Sequence, residues 1–261
     1  MSARRTTSKR PPPKTKLKRT PAERRTLIGR AIAGLLLLGI IGIGIFALAS
    51  VLSVAAYRFV NPPATPLMAM RAIADSSLRA ERHWVPLSRI SPHLLRAVLT
   101  SEDARFCNHG GFDWIELEKA IEDYRAKGRL RGASTITNQT AKNVFLLSGR
   151  SYGRKLFEAY YTVLMEALWS KDRIFEVYLN IAEWGDGVYG IEAAARTYFD
   201  KPASQLNPTE GALLAAILPN PRVRSPLDPS GPVRAKAAML ERTMNQLKLG
   251  EGRLCPPKSA P

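Results

Sequence analysis

Ser91-Pro92-His93-Leu94-Leu95-Arg96-Ala97-Val98-Leu99-Thr100-Ser101-Glu102-Asp103-Ala104-Arg105-Phe106 reads as an amphipathic helix with a Ser-Pro start. At about 100° per residue, Leu94, Leu95, Val98, Leu99 and Phe106 share one arc, and Glu102 falls in its middle. Asp103 is turned about 100° away. A carboxylate on an apolar face is costly unless it is paired, and such a setting suits a general base. Taken alone, the commoner reading is a glutamate at a helix end that bonds a neighbouring loop. Phe106-Cys107-Asn108-His109-Gly110-Gly111 then forms a turn that ends the helix beside that glutamate. His109 lacks the i, i+4 partner of a His-Glu-x-x-His metal site, so it is read as fixing the turn or hydrogen-bonding a carboxylate.

The same 3.6-residue periodicity runs from about Ser91 to Leu247, with few β-branched runs and Gly or Pro punctuation, so the fold class is mainly α. Asn207-Pro208-Thr209-Glu210 starts one helix with an Asn cap, Pro at the first position and Glu at the third; Pro219 and Pro221 end it. Residues 171–184 read as helix. Gly185-Asp186-Gly187-Val188-Tyr189-Gly190 matches G-x-G-x-x-G but lacks the strand and βαβ setting that a dinucleotide site needs. Its glycines are expected to turn a loop tightly before a helix over residues 191–199.

Upstream, residues 1–30 carry about eleven Lys or Arg against one Glu, so most of the net charge of +17 sits in this arm. With little apolar content they read as a basic, disordered cytoplasmic tail. Residues 31–57 are uncharged and rich in Leu, Ile, Ala and Gly. As a helix they would reach about 40 Å, enough to cross a ~30 Å hydrocarbon core. The run is too long for a usual signal peptide, which favours an uncleaved transmembrane helix. Basic residues before it place the N-terminus in the cytoplasm and the rest outside. Residues 58–90 are a linker and the start of the extracytoplasmic domain, residues 91–248 the main domain, and residues 249–261 a loose tail. Cys107 and Cys255, about 150 residues apart, are too sparse for a disulfide framework, and without Cys-x-x-Cys they do not suggest redox chemistry.

Two polar constellations follow the first helix. In Gly132-Ala133-Ser134-Thr135-Ile136-Thr137-Asn138-Gln139-Thr140-Ala141-Lys142-Asn143, a helix from Thr135 brings Thr135, Gln139, Lys142 and Asn143 within about 100°. That stripe suits sugar hydroxyls or phosphate; a solvated face is the bland alternative. Next, Arg150, Arg154 and Glu158 are spaced i, i+4, i+8, with Lys155 beside them. They form either an ion-pair ladder worth about 0.2–0.5 kcal/mol per pair or a cationic clamp for a diphosphate.

In order, the chain reads Glu102-Asp103-x-x-Phe106-x-x-His109-x-Gly111, then Gly132-x-Ser134-Thr135-Ile136-x-x-Gln139-x-x-Lys142-Asn143, then Arg154-Lys155-x-x-Glu158. Lys171-x-x-Ile174-x-Glu176-x-Tyr178-Leu179-Asn180 and Gly187-x-x-Gly190 with Ala193-Ala194 and Tyr198-Phe199-x-Lys201 complete the set. Over residues 61–247 this series resembles the peptidoglycan glycosyltransferases, glycosyltransferase family 51, and the monofunctional members most, since no room is left for a transpeptidase domain. Asn138 departs from the pattern, where the family often has Gln.

The resemblance implies a lysozyme-like glycosyltransferase domain with a single N-terminal transmembrane helix. It implies lipid II as acceptor and the growing lipid-linked glycan strand as donor, with inversion at the anomeric carbon. Glu102 would be the catalytic base, and Glu158 would assist at the donor diphosphate or bind a divalent metal. Substrate contacts would come from Asp103, Phe106, His109, Ser134, Thr135, Gln139, Lys142, Asn143, Arg150, Arg154 and Lys155. No cofactor is obligatory by this reading, though Mg or Mn has a place in it. Expected partners are the bacterial inner membrane, with the catalytic domain periplasmic, and cell-wall synthesis or division proteins. Nucleic acid is not among them, because the basic arm has no aromatic residues for stacking. The chemistry agrees: a glycosidase must also protonate its leaving group, whereas a diphosphate departs once cations neutralise it. The rival classes are a lysozyme-like hydrolase, which has little use for the Arg154-Lys155 pair, and a non-enzymatic membrane protein.

Overall fold

The computed structural model describes residues 21–74, 82–128, 132, 134–147, 149 and 151–256. Two compact units result, Met1–Ala49 and Ser50–Pro261. The first contains most of helix α1 (Pro21–Tyr57). Within α1, Ile32–Tyr57 is long and apolar enough to cross a bilayer. Leu and Ile side chains such as Leu35, Leu38 and Ile43 are exposed around it, as a lipid-facing helix requires. It is a candidate membrane anchor.

The second unit opens with the last turns of α1. Val54 is fully buried there, and its carbonyl accepts a hydrogen bond from Trp169 Nε1 at 2.7 Å. A helix end leaves carbonyls without partners. Arg173 supplies them, donating to Tyr57 O and Val60 O at 2.9 Å while it pairs with Glu176 at 2.8 Å.

After it come α2 (Pro66–Ala74), α3 (Pro92–Glu102), α4 (Trp114–Lys127), α5 (Ile136–Phe145), α6 (Tyr152–Leu168) and α7 (Lys171–Ile181). An antiparallel hairpin of β1 (Glu183–Gly185) and β2 (Val188–Tyr189) leads to α8 (Ile191–Phe199), α9 (Pro208–Ile217) and α10 (Gly231–Thr243). Helix α7 is the centre, with every residue from Ile174 to Ile181 except Glu176 buried. Helix α5 packs on α6 and α7, while α9 packs on α3 and α10. Gly211 lets α9 meet the α3 backbone, since a Cβ there would lie 3.1 Å from Leu94 N. Buried Asn180 acts as a strand partner for the segment before α3, accepting from Val85 N and donating to Val85 O, both at 2.9 Å.

The mainly α reading holds, and the helices starting at Pro92, Pro208 and Ile191 form with the expected caps or turn. Three local expectations need correction. The helix begun at Ser91 ends at Glu102, and Phe106 enters the core through a separate 3-10 turn, Phe106–Asn108. The helix over residues 171–184 stops at Ile181, because Glu183–Gly185 pairs with Val188–Tyr189 instead. Finally, residues 249–256 are not a loose tail. Cys255 is bonded to Cys107, Leu254 is buried, and its amide donates to Asp172 Oδ1 at 3.0 Å. Burying that leucine contributes roughly 1.5–3 kcal/mol, and the disulfide closes a loop of 148 residues. A disulfide at this separation escaped the spacing argument because a single cysteine pair carries no pattern.

Replacing both cysteines by serine should lower the unfolding free energy by about 2–5 kcal/mol. In a thermal scan, dithiothreitol should lower the melting temperature of the wild type and leave that of the Cys107→Ser/Cys255→Ser variant unchanged.

Candidate active site

Helix α3 stops at Glu102 because Asp103 leaves helical backbone, with φ −164° and ψ 72°. The Asp103 carboxylate then turns inward between two elements. Its Oδ1 accepts from His109 Nε2 at 2.8 Å, and its Oδ2 from the amide of Ile136, the first residue of α5, at 3.0 Å. A carboxylate at a helix N-terminus meets both an orphan amide and the positive end of the dipole. The Gly111 amide donates to His109 Nδ1 at 3.2 Å, so the ring proton sits on Nε2 and points at Asp103. Gly111 has φ +92°, and a Cβ there would lie 2.7 Å from Thr162 Cγ2.

Thr135 caps α5 and forms a capping box with Asn138. The Asn138 amide goes on to donate to Thr162 Oγ1 of α6 at 2.9 Å. The residue that departs from the family pattern therefore has a structural task here, tying the α5 cap to α6.

Glu102, 13% exposed in its side chain, lines a cleft of ≈ 680 Å³. Its Oε1 accepts from Ser101 Oγ at 3.0 Å and its Oε2 from Gln139 Nε2 at 3.2 Å. Lys236 Nζ of α10 lies 3.9 Å from Oε1. Three residues beyond Gln139, about 4.5 Å along α5, Lys142 and Asn143 face a second cavity of ≈ 290 Å³. Arg154, Gly149, Leu67, Leu146 and Leu147 complete it. Behind it, Glu158 is buried and holds Arg154 Nη1 at 3.4 Å and Lys155 Nζ, one on each oxygen. Burial holds Lys142 below the usual lysine range; Glu158 partly offsets this, and Arg154 and Lys155 add to it.

The arrangement offers a carboxylate in one cavity and two cations, Lys142 and Arg154, in the other, with Glu158 and Lys155 behind them. The apolar lining of the cation cavity suits an anion attached to a lipid chain. A divalent cation does not fit at Glu158, because both of its oxygens already face cations. Asp103, His109 and Asp113 also lie close together. There the histidine presents an N–H, and Asp113 is committed to Arg105 Nε at 3.2 Å and to the Glu116 amide at 3.1 Å.

Residues 70–247 match the family described as Transglycosylase. The chain belongs to the transglycosylase family. It is 54% identical over 198 residues to a biosynthetic peptidoglycan transglycosylase of Rhodospirillum centenum, covering 76% of this chain and 85% of that one. Its counterparts from Caulobacter vibrioides and Xanthomonas campestris pv. campestris are 48% and 46% identical, covering 74% and 78% of this chain and 84% and 85% of theirs. This transglycosylase is accordingly a glycosyltransferase.

The expected site residues divide by position. Glu102, Ser134 and Gln139 line the larger cleft, and Lys142, Asn143 and Arg154 the smaller one. Asp103 and Thr135 border the cleft, but their oxygens are bonded within the protein, and His109 serves Asp103. Phe106 is a correction: expected at the substrate, it is 1% exposed in the core, with Lys171 Nζ 4.3 Å from its ring centroid. Glu158, expected either to assist at the donor diphosphate or to bind a metal, is buried behind the smaller cavity and paired with Arg154 and Lys155. Arg150 lies outside the described residues. Sequence reasoning missed Lys236 and Ser101 in the transglycosylase cleft. The buried spacing of Val233, Ala237 and Leu240 places Lys236 at the edge of the α10 core face, which is the signal that could have found it.

Asp103→Asn should leave His109 Nε2 or the Ile136 amide facing an NH₂ group, because an amide side chain has a single acceptor oxygen. Thermal or chemical unfolding should show a loss of about 1–3 kcal/mol, and polymerisation should fall with it, since Asp103 joins α5 to the end of α3.

Proposed function

We propose a division of labour for the reaction this chain performs, the polymerisation of lipid II into peptidoglycan glycan strands. Glu102 takes the proton from the acceptor's 4-hydroxyl as that oxygen attacks the anomeric carbon of the donor. The C–O bond to the donor diphosphate breaks on the opposite face, so the configuration inverts and a β-1,4 bond results. Lys142, Arg154 and Lys155 neutralise the departing polyprenyl diphosphate, which therefore leaves without a general acid. Glu158 keeps the cations from repelling one another. The observation that carries this reading is the placement of Gln139 and Lys142 on one helix, a single turn apart, with the base at one and the cations at the other. This scheme assigns no step to a divalent cation.

The anchor serves the reaction by confining the enzyme to the membrane that holds both lipid substrates. The basic residues before α1 support a cytoplasmic N-terminus. The Cys107–Cys255 disulfide supports a catalytic unit outside the reducing cytoplasm, on the periplasmic side of the inner membrane. Cell-wall synthesis or division proteins would meet it there.

Detergent-solubilised wild type should convert labelled lipid II to polymer, while Glu102→Gln should bind it with polymerisation lowered about 10²–10⁴-fold. Shortening of preformed glycan in place of polymerisation would sink the transferase reading.

The pH profile tests the cation cluster. Because burial lowers the Lys142 pKa, rising pH removes its charge before that of an exposed lysine. The alkaline limb of kcat/KM, which reports the free enzyme, should begin below the usual lysine range. Lys142→Arg should move that limb upward, since a guanidinium stays charged.

A further inference from the structure

We infer that Tyr178 is a positioning residue for the transfer reaction, acting on Glu102 through the side chain of Gln139. The inference rests on the reading of Glu102 as the base. Tyr178 sits on α7, is 1% exposed, and does not line the cleft. Its hydroxyl lies 3.3 Å from Gln139 Oε1. Burial, with Glu102 and Asp103 adding to it, pushes its pKa well above the usual tyrosine range, so the hydroxyl keeps its proton and donates.

That donation engages the oxygen end of the Gln139 amide and holds it against α7. An amide end can be turned by rotating χ3, and only one orientation places a donor on Glu102. With Tyr178 donating to Oε1, the NH₂ group faces Glu102 Oε2 at 3.2 Å. In the reverse orientation, an amide oxygen would face the carboxylate and an NH₂ group would face the tyrosine O–H. The first contact would be repulsive, because an ionised carboxylate can only accept, whereas the phenol oxygen could still accept from the NH₂ group by turning its own hydrogen away. The carboxylate thus sets the sense of the Gln139 amide, Tyr178 holds the oxygen end of that amide in place, and Gln139 holds one oxygen of Glu102, leaving Oε1 to the cleft side with Ser101 and Lys236. Because α7 is the most buried helix of the unit, the reference point for the base is set by the core itself.

The test uses the full-length enzyme in detergent, labelled lipid II, and initial rates across pH for wild type, Tyr178→Phe, Gln139→Leu and the double variant. Tyr178→Phe is expected to lower kcat about tenfold, the worth of one hydrogen bond, with KM for lipid II within twofold. The acidic limb of its kcat profile should move to higher pH, because a freed amide no longer supports the ionised carboxylate. In the Gln139→Leu background, Tyr178→Phe should have no further effect, the mark of two residues acting in series. Equal effects in both backgrounds, or an unmoved acidic limb in Tyr178→Phe, would overturn the proposal. If Tyr178→Phe loses its thermal transition, Gln139→Leu alone decides, and an unmoved acidic limb there overturns it. Glu102→Gln assayed alongside separates the two readings: full activity in that variant refutes the base, whereas inactivity with additive Tyr178 and Gln139 effects refutes only the relay.

Discussion

Both oxygens of the Asp103 carboxylate are spent inside the protein, one on His109 and one on the first amide of α5. A buried carboxylate is tolerated only with such partners, and here the partners belong to separate segments. The turn after α3 and the start of α5 are thereby held at one point. Glu102 is the residue before that point, and Gln139 lies three residues beyond Ile136. The distance between Glu102 and its hydrogen-bond donor Gln139 is thus fixed by a contact that neither of them makes. Gly111 belongs to the same constraint, since any side chain there would push α6 away from the turn.

Charge is arranged differently in the second cavity. Lys142, Arg154 and Lys155 gather around Glu158, which is 3% exposed and could not be left alone there. On an exposed helix such i, i+3 and i, i+4 pairs contribute only about 0.2–0.5 kcal/mol each. Their value in this place is organisation more than stability. One buried negative charge permits three positive ones to crowd together, and the excess remains available to an anion. The depressed affinity of Lys142 for its proton is the mark of that crowding and burial. An arriving diphosphate would relieve it, which makes binding and charging of the lysine mutually supportive.

Much of this was legible in the residues themselves. Ser91, Thr135 and Asn207 announce helix starts through local hydrogen bonding, and those starts appear where expected. The wheel put Glu102 on the inner face, which is where it lies. The same wheel failed one residue later, because it assumes that the helix continues. Asp103 leaves helical backbone to reach His109 and Ile136, and no local signal in α3 encodes partners 6 and 33 residues away. Phe106 failed for a different reason: its motif position suggested the substrate, while its side chain fills the core, as its place on the apolar arc allowed. Tyr178 was beyond reach because it meets Gln139 only through tertiary packing of α7, whereas the spacing of α10 put Lys236 at the edge of a core face without naming what it would meet. The two cysteines carried no spacing pattern, so the pinned segment around Leu254 read as a tail.

The disulfide and the candidate membrane anchor bear on the proposed placement of the catalytic unit by unrelated physics. A long apolar helix preceded by basic residues argues topology from the cost of moving cations across a bilayer. A disulfide argues it from redox poise. Cys107 lies within the turn that carries His109, while Cys255 lies beside Leu254, whose amide caps Asp172 at the start of α7. The bond therefore joins the turn that follows Glu102 to the helix that carries Tyr178. In a reducing compartment the α7 end of that link would rest on one hydrogen bond and one buried leucine. A turn braced in this way keeps its brace only where thiols are oxidised.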